Sequence, residues 1–158
     1  YCLTRFSSPS STLGSPGDRL MVIGVAATDI NDGLAIFSSV GPPTGSTFQK
    51  PEISEPGVDV QSSYNSGDSS FASLSGTSMA CPHVAGVVAL LLNEKPELIG
   101  DFEGVSAALY NGAVKSGLTG FNQNCGGINE NVFPNFAFGH GLLDVVGASM
   151  TGNATIYF

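Results

Sequence analysis

The chain has 158 residues, enough for one folded domain, and carries 13 acidic against five basic side chains, a formal net charge of −8. Nucleic acid is excluded as a partner, because neutralising its phosphates requires clustered Lys and Arg. Charged residues make up 11% of the sequence, against about 25% in ordinary soluble domains. So little charge favours a secreted protein with a glycine- and serine-rich surface, or part of a larger body whose charged parts lie elsewhere.

No membrane-spanning segment is expected. The longest continuous apolar run, residues 87–92, is far shorter than the ~20 residues that a helix needs to cross a bilayer. The sequence opens on Tyr1 rather than methionine, and no charged-then-apolar leader follows. We therefore expect the chain to begin after a processing or truncation event.

The first half of the chain is expected to contain loops and short strands. Residues 1–19 are rich in Ser, Pro and Gly and indicate a loop, whereas the apolar run over 20–29 predicts a buried strand of the parallel type. A second short strand is predicted over 34–39, before a Pro- and Gly-rich loop. Residues 58–63 and 71–75 are weaker strand candidates.

Helices are predicted in the second half. The pattern indicates a helix that begins at Thr77 and ends before Pro96, since proline cannot continue a helix. That helix is apolar nearly all round, so we expect it to be buried. Two further helices are predicted, one over residues 101–116 with Asp101 near its cap and one over 142–150.

The stretch SLSGTSMACPHVAG, residues 73–86, places Ser78 at the start of the first helix. One interpretation is nucleophilic catalysis, and the other is a helix start with a Ser or Thr cap. A serine nucleophile needs a base to take its proton and donors to hold the oxyanion. The free N–H groups and the positive dipole end of a helix start favour developing negative charge.

Neither histidine is expected to be the base for Ser78. His83 lies five residues further along the helix, about 140° around its axis, so its ring should point away and serve a structural role. His140 is distant in sequence and nothing local marks it as a base. If Ser78 is catalytic, we expect its histidine and aspartate to lie outside this chain.

The eleven residues GTSMACPHVAG resemble the nucleophile signature of the subtilisin-like serine proteases, the subtilases. The similarity extends, in order and approximate spacing, over most of the C-terminal half of a subtilase catalytic domain, and PELIGD and CGG resemble bacillopeptidase-type members. The segments that carry it are SSTLGSPGDRLMVIGVAATD, FSSVGP, KPEISEPGVDVQSS and FGHGLLDVVGAS. The resemblance implies that residues 1–158 are the C-terminal portion of one subtilase catalytic domain. It implies an α/β fold with a mostly parallel sheet flanked by helices, incomplete at its N-terminal side.

The same resemblance assigns roles to individual residues. It makes Ser78 the nucleophile of a secreted endopeptidase that acts on protein or peptide substrates through an acyl-enzyme, with its own N–H in the oxyanion hole. Thr77 supplies a nearby hydroxyl, and Met79 is the oxidation-sensitive neighbour. Gly14 and Gly17 match glycines that line the primary specificity pocket.

The family's catalytic Asp and His and its oxyanion Asn cannot be found in this chain. The resemblance therefore implies that activity needs an upstream segment of the same catalytic domain, and the chain alone is predicted to be inactive. The alternative is a noncatalytic binding or structural fragment derived from a subtilase. Loop detail also departs from the family, because Glu55 replaces a small residue before PG and residues 44–50 form a longer segment.

No cofactor is required for the chemistry, but subtilases commonly bind structural calcium. Residues 17–22 resemble a cation site built from backbone oxygens, so no side chain identifies its ligands. The DINDG segment, residues 29–33, is expected to be a turn rather than a calcium loop, since Val40 stands where the bidentate Glu belongs. Four acidic residues show no spacing of an acid/base pair, and most of them are expected to be solvated loop charges, namely Glu52, Glu55, Asp59 and Asp68.

Three cysteines, Cys2, Cys81 and Cys125, allow one disulfide and one free thiol, and no pair has zinc-site spacing. Cys81 lies on the predicted buried helix without a cationic neighbour, so we expect an inert, buried thiol. The resemblance of the CGG segment to secreted relatives favours a Cys2–Cys125 disulfide. The NAT sequence at Asn153 is the one N-glycosylation acceptor in the chain.

Overall fold

The computed structural model describes residues 13–151, so Cys2 and Asn153 lie outside the described residues. The described part contains short strands and three α-helices. In chain order these are β1 (Val25–Thr28), β2 (Ile53–Pro56), β3 (Val60–Ser63), β4 (Phe71–Leu74), α1 (Thr77–Glu94), a 3₁₀ turn (Pro96–Leu98), α2 (Phe102–Gly112), β5 (Asn124–Cys125), β6 (Ile128–Asn129) and α3 (Val145–Met150). This is an α/β fold, as predicted.

The centre of the fold is a parallel pair of strands. β1 and β2 run side by side with Val25 opposite Ile53, and the chain at Leu142 makes a parallel bridge to Ser54 on the other edge of β2. β3 with β4, and β5 with β6, form antiparallel hairpins outside this layer. The parallel pair is the layer against which α1 packs.

One predicted strand does not form, one is shorter than predicted, and one strand was missed. The buried strand predicted over 20–29 is confined to β1, and Leu20 and Met21 before it are exposed. Residues 34–39 are not a strand, because this segment turns back across β1 instead: the amide of Ala35 donates to the carbonyl of Ala27, and Ser38 Oγ accepts from the amide of Ala27. In contrast, β2 was not predicted, because its glutamate and its proline hide the apolar pattern. β2 forms nonetheless because β1 pairs with one of its edges and the chain at Leu142 bridges to the other.

The three helices occur where they were predicted, with some differences in their ends. α1 has the predicted start and stop. α2 begins after its cap Asp101, whose side chain accepts from the amide of Gly104 at 2.9 Å. It ends at Gly112, where the backbone of α3 comes so close that an added Cβ would lie 2.2 Å from Ala148 N. α3 starts after its cap Asp144, whose side chain accepts from the amide of Val146 at 3.0 Å.

The largest core cluster joins β2 to all three helices. Its buried members are Ile53, Val84, Leu91, Val105, Ala108, Leu109, Leu143 and Ala148. A second cluster lies around Phe136 and Phe138, in the segment between α2 and α3, and includes Cys125. The apolar face of α1 that meets β2 is therefore part of the main core.

The expectation that α1 is buried all round was wrong. Within this helix only Ala80, Val84 and Leu91 are buried, whereas Leu90 is 60% exposed. Cys81 is a free, exposed thiol rather than a buried one. The prediction that α1 is apolar nearly all round was correct. Burial, however, depends on what covers each face of the helix, and among residues 13–151 only one face is covered.

Candidate active site

Ser78 is held at the carboxyl edge of the parallel strands. The amide of Gly76 donates to the carbonyl of Gly57 at 2.8 Å, and the amide of Gly57 donates to the carbonyl of Thr28 at 2.9 Å. Gly57 has to be glycine, because an added Cβ would lie 2.7 Å from the Cβ of Ala27 and 2.8 Å from the carbonyl oxygen of Gly76. The start of α1 is thus fixed at the sheet edge where α/β proteins usually bind ligands.

The N-terminus of α1 leaves backbone donors available beside Ser78. The cap is Gly76, which offers no side-chain oxygen, so the cap interpretation of the Ser and Thr at this position is wrong. The amide of Met79 donates to the carbonyl of Gly76 at 2.9 Å. The amides of Thr77 and Ser78 are in the first turn, where no intrahelical acceptor exists. These N–H groups and the helix dipole favour negative charge at this point.

Ser78 is exposed and lines an open cavity of about 410 Å³. The other walls come from the β3–β4 hairpin and from the first turns of α1. They are formed by Val60, Gln61, Ser62, Ser63, Tyr64, Ala72, Leu74, Met79, Pro82 and His83. None of these side chains is a carboxylate, lysine or arginine. The cavity can hold an uncharged, extended segment next to the serine hydroxyl.

The other residues assigned by resemblance lie at different distances from this cavity. Met79 lines it and is half-buried, and Thr77 is half-buried beside it. Gly14 and Gly17 lie in the turn that precedes β1, where an added Cβ at Gly14 would meet no atom within 4 Å. Neither glycine lines the cavity of Ser78. Their role in a specificity pocket stays a prediction.

His83 is engaged with its own helix. Its Nδ1 lies 2.9 Å from the carbonyl oxygen of Met79, one turn earlier, and the side chain is exposed. It shares the cavity wall with Ser78, but its ring is oriented by this backbone contact. The structural role of His83 stays a prediction.

His140 lies at the opposite end of β2. Its amide donates to the carbonyl of Glu52 at 2.7 Å, whereas α1 begins beyond Gly57. Glu52 and Gly57 flank β2 and are five residues apart along the chain, or roughly 16 Å at about 3.3 Å per residue. The ring stacks on Tyr110 with centroids 4.4 Å apart, and burial, aided by the charge of Lys115, lowers its pKa. His140 is too far from Ser78 to accept its proton.

Two acidic residues that were expected to be solvated are buried. Asp59 and Asp68 are exposed as predicted, but Glu55 is only 7% exposed and Glu52 only 9%. Glu55 shares strand parity with Ile53, so it points to the face covered by α1. Burial raises the pKa of Glu55 to about 7. Strand periodicity would have shown this placement had β2 been recognised.

No three His, Cys, Asp or Glu side chains within residues 13–151 come together to hold a metal ion. The DINDG segment is a turn: Asp29 Oδ1 accepts from the amides of Asn31 and Gly33 at 2.8 and 2.9 Å. Its carboxylate is thus used to close the turn. Among the cysteines, Cys125 is buried in the second core cluster, while its predicted partner is outside the described residues.

Comparison with known proteins gives a consistent result. The model of the Subtilase family matches residues 6–132. Subtilisin DY from Bacillus licheniformis is 36% identical over 143 residues, which cover 90% of this chain and 42% of that protein. The membrane-bound transcription factor site-1 protease of Homo sapiens is 35% identical over 144 residues, covering 87% of this chain and 12% of that protein. The chain therefore spans less than half the length of these relatives.

Solved structures show the same similarity. The CspB protease of Clostridium perfringens superposes with a TM-score of 0.69 at 28% identity, over 87% of this chain and 28% of that one. A protease from Pseudoalteromonas arctica gives a TM-score of 0.65 at 28% identity, over 85% of this chain and 37% of that one. The described fold is thus found as a part of larger proteases.

Proposed function

The chain belongs to the subtilase family of serine proteases, and we propose that it is the C-terminal portion of an endopeptidase catalytic domain with Ser78 as its nucleophile. One observation carries this proposal. Ser78 is exposed at the N-terminus of a long, glycine-capped helix and faces an uncharged cavity. A serine that served only to cap the helix would occupy the position that Gly76 holds.

The proposed chemistry is hydrolysis of a peptide bond through an acyl-enzyme. Ser78 Oγ attacks the carbonyl carbon while a base takes its proton, and the backbone amide of Ser78 donates to the oxyanion. The carbon–nitrogen bond then breaks, and the amine leaves with the proton returned by the base. Water attacks the remaining ester in the same way and frees Ser78.

An upstream segment of the same domain supplies the missing parts in this proposal. The ring of His83 contacts the carbonyl of Met79 and that of His140 stacks on Tyr110, and the aligned region covers 42% of subtilisin DY. The exposed side of α1, which includes Cys81, Ala85 and Leu90, is apolar and uncovered among the described residues. The upstream segment covers this side and brings the base, its aspartate and a side-chain oxyanion donor to Ser78.

We also propose that the protein is secreted. The low fraction of charged residues supports export, and a disulfide between Cys2 and Cys125 would fit an oxidising compartment. No helix within residues 13–151 combines the length and the apolar character required to cross a bilayer. Recovery of the protein from culture medium rather than from the membrane fraction of its native host tests this proposal.

The catalytic proposal is tested with the full-length protein in a peptidase assay. Ser78→Ala should abolish hydrolysis, since losing a triad member typically lowers turnover by about a million-fold. Ser73→Ala, at an exposed serine of β4 outside the cavity, is the matched control and should keep activity. If the full-length protein shows no activity on any peptide substrate, the noncatalytic fragment becomes the better account.

A further inference from the structure

Residues 17–22 were predicted to resemble a cation site, and the structure tests whether a metal ion fits there. The carbonyl oxygen of Val22 already accepts a hydrogen bond from Nζ of Lys50. The same ammonium lies 2.5 Å from Oε1 of Glu52, and the Lys50 side chain is completely buried. The carbonyl oxygen of Val22 and the carboxylate of Glu52, which precedes β2, therefore both face a positive charge of the protein itself.

An ammonium group and a hard metal cation compete for the same ligands. Lys has three N–H donors and no acceptor, so it binds carbonyl and carboxylate oxygens as a metal does. Calcium needs six to eight oxygens at about 2.3–2.6 Å, and here two oxygens are already taken. A second cation would also stand beside the buried charge of Lys50, which repels it. A metal ion does not fit between residues 17–22 and the Glu52 carboxylate while Lys50 is in place.

The surrounding backbone is shaped to hold this pair. Lys50 and Glu52 flank Pro51 immediately before β2, and their charged ends meet beside the backbone of Val22 and Gly24. Gly24 leaves room for both, since an added Cβ would lie 3.1 Å from Glu52 Oε2 and 3.5 Å from Lys50 Cδ. The amide of Gly24 also donates to Glu52 Oε2 at 2.7 Å. Both carboxylate oxygens of Glu52 are thus bound, one by the ammonium and one by the backbone.

We infer that the Lys50 ammonium takes the place of a structural metal ion, joining the segment before β1 to the segment that leads into β2 without calcium. Removing this charge leaves the Val22 carbonyl and the Glu52 carboxylate in a buried position with no cation. The same oxygens then become a site for a hard cation, such as calcium or potassium. The inference concerns folding and ion dependence, and it holds whether or not Ser78 is catalytic.

The first experiment counts bound ions in the full-length protein after chelation, by titration calorimetry with calcium and, separately, with potassium. Lys50→Ala, which leaves space, should bind one more ion per molecule than the unmodified protein, and its melting temperature should rise with that ion. Lys50→Met fills the space without a charge and should gain no ion. Adding Glu52→Gln to Lys50→Ala should remove the extra ion. Equal ion counts for Lys50→Ala and the unmodified protein would overturn the inference.

A second measurement needs no variant, so it tests the inference even if Lys50→Ala does not fold. Lysine acetylation of the native protein is followed by mass spectrometry with and without saturating calcium. Lys50 should stay protected in both conditions, whereas the exposed Lys115 should be modified rapidly in both. If calcium brings acetylation of Lys50 to the rate of Lys115, the ion displaces the ammonium and the inference is wrong. Rapid acetylation of Lys50 without calcium would refute it as well.

Discussion

Replacing Glu55 by Gln should change how stability depends on pH. Glu55 lies under α1 with 7% exposure, and burial raises its pKa from 4.5 to about 7. Because the folded-state pKa is the higher one, the folded protein binds more protons than the unfolded chain between these values. The stabilisation that protonated Glu55 gives the fold is therefore fully present below about pH 4.5 and is lost as the pH rises through about 7.

The size of the effect follows from the shift. The pKa of Glu55 rises from 4.5 to about 7, a difference of about 2.5. Because a pKa difference of one corresponds to about 1.4 kcal/mol, ionising Glu55 lowers the stability of the fold by about 3 kcal/mol. Gln has a similar shape and does not ionise. The free energy of unfolding of Glu55→Gln, relative to the unmodified protein, should therefore increase by about 3 kcal/mol between about pH 4.5 and about pH 8. Any cost of burying the amide is the same at both pH values and cancels.

The assay is denaturant unfolding of the full-length protein, followed by circular dichroism at several pH values. All variants carry Ser78→Ala, so that self-digestion cannot distort the curves. Asp68→Asn, at an exposed carboxylate of the β3–β4 connection, controls for loss of one negative charge. The reference protein carries Ser78→Ala alone. If the difference in the free energy of unfolding between Glu55→Gln and this reference is the same at every pH, Glu55 is not buried as described and the reasoning fails.

Three further predictions concern other parts of the chain. Gly57→Ala should lower stability by about 1–3 kcal/mol in thermal unfolding, because its Cβ would lie 2.8 Å from the oxygen of Gly76; an unchanged melting temperature would contradict the close contact. Peptide mapping without reduction should find Cys2 linked to Cys125 and Cys81 free. The disulfide should stabilise the fold by about 4 kcal/mol in the chain-entropy model. A disulfide that involves Cys81 would contradict the pairing. In a secreting eukaryotic host, mass spectrometry should find glycan on Asn153, and unmodified Asn153 in native material would reject it.

The sequence was most informative where local chemistry decides structure. α1 was placed correctly because Pro96 sets its end and the small-residue motif its start. The caps of α2 and α3 are aspartates that satisfy free amides, which is a local interaction. Ser78 stood out for the same reason, since its neighbours within one turn define the motif.

The parts that sequence reasoning missed depend on contacts between distant segments. β2 forms because β1 and the chain at Leu142 hydrogen-bond to it, not because of its own composition. Recognising β2 would have placed Glu55 on the same face as Ile53. The contacts of Lys50 with Glu52 and with Val22 lie before β2, so recognising the strand would not have shown them. The exposed side of α1 could not be predicted at all, because exposure depends on which segments pack against the helix.

Covalent labelling of Ser78 tests the central claim most directly. A fluorophosphonate probe reacts with a serine only when a base and an oxyanion hole activate it, so the modified residue can be mapped by mass spectrometry. The full-length protein should be labelled at Ser78, and Ser78→Ala should not be labelled. Residues 1–158 alone should remain unlabelled until the upstream segment is supplied. Rapid labelling of the isolated chain would mean that His83 or His140 is the base after all, and no labelling of the full-length protein would contradict the proposed nucleophile.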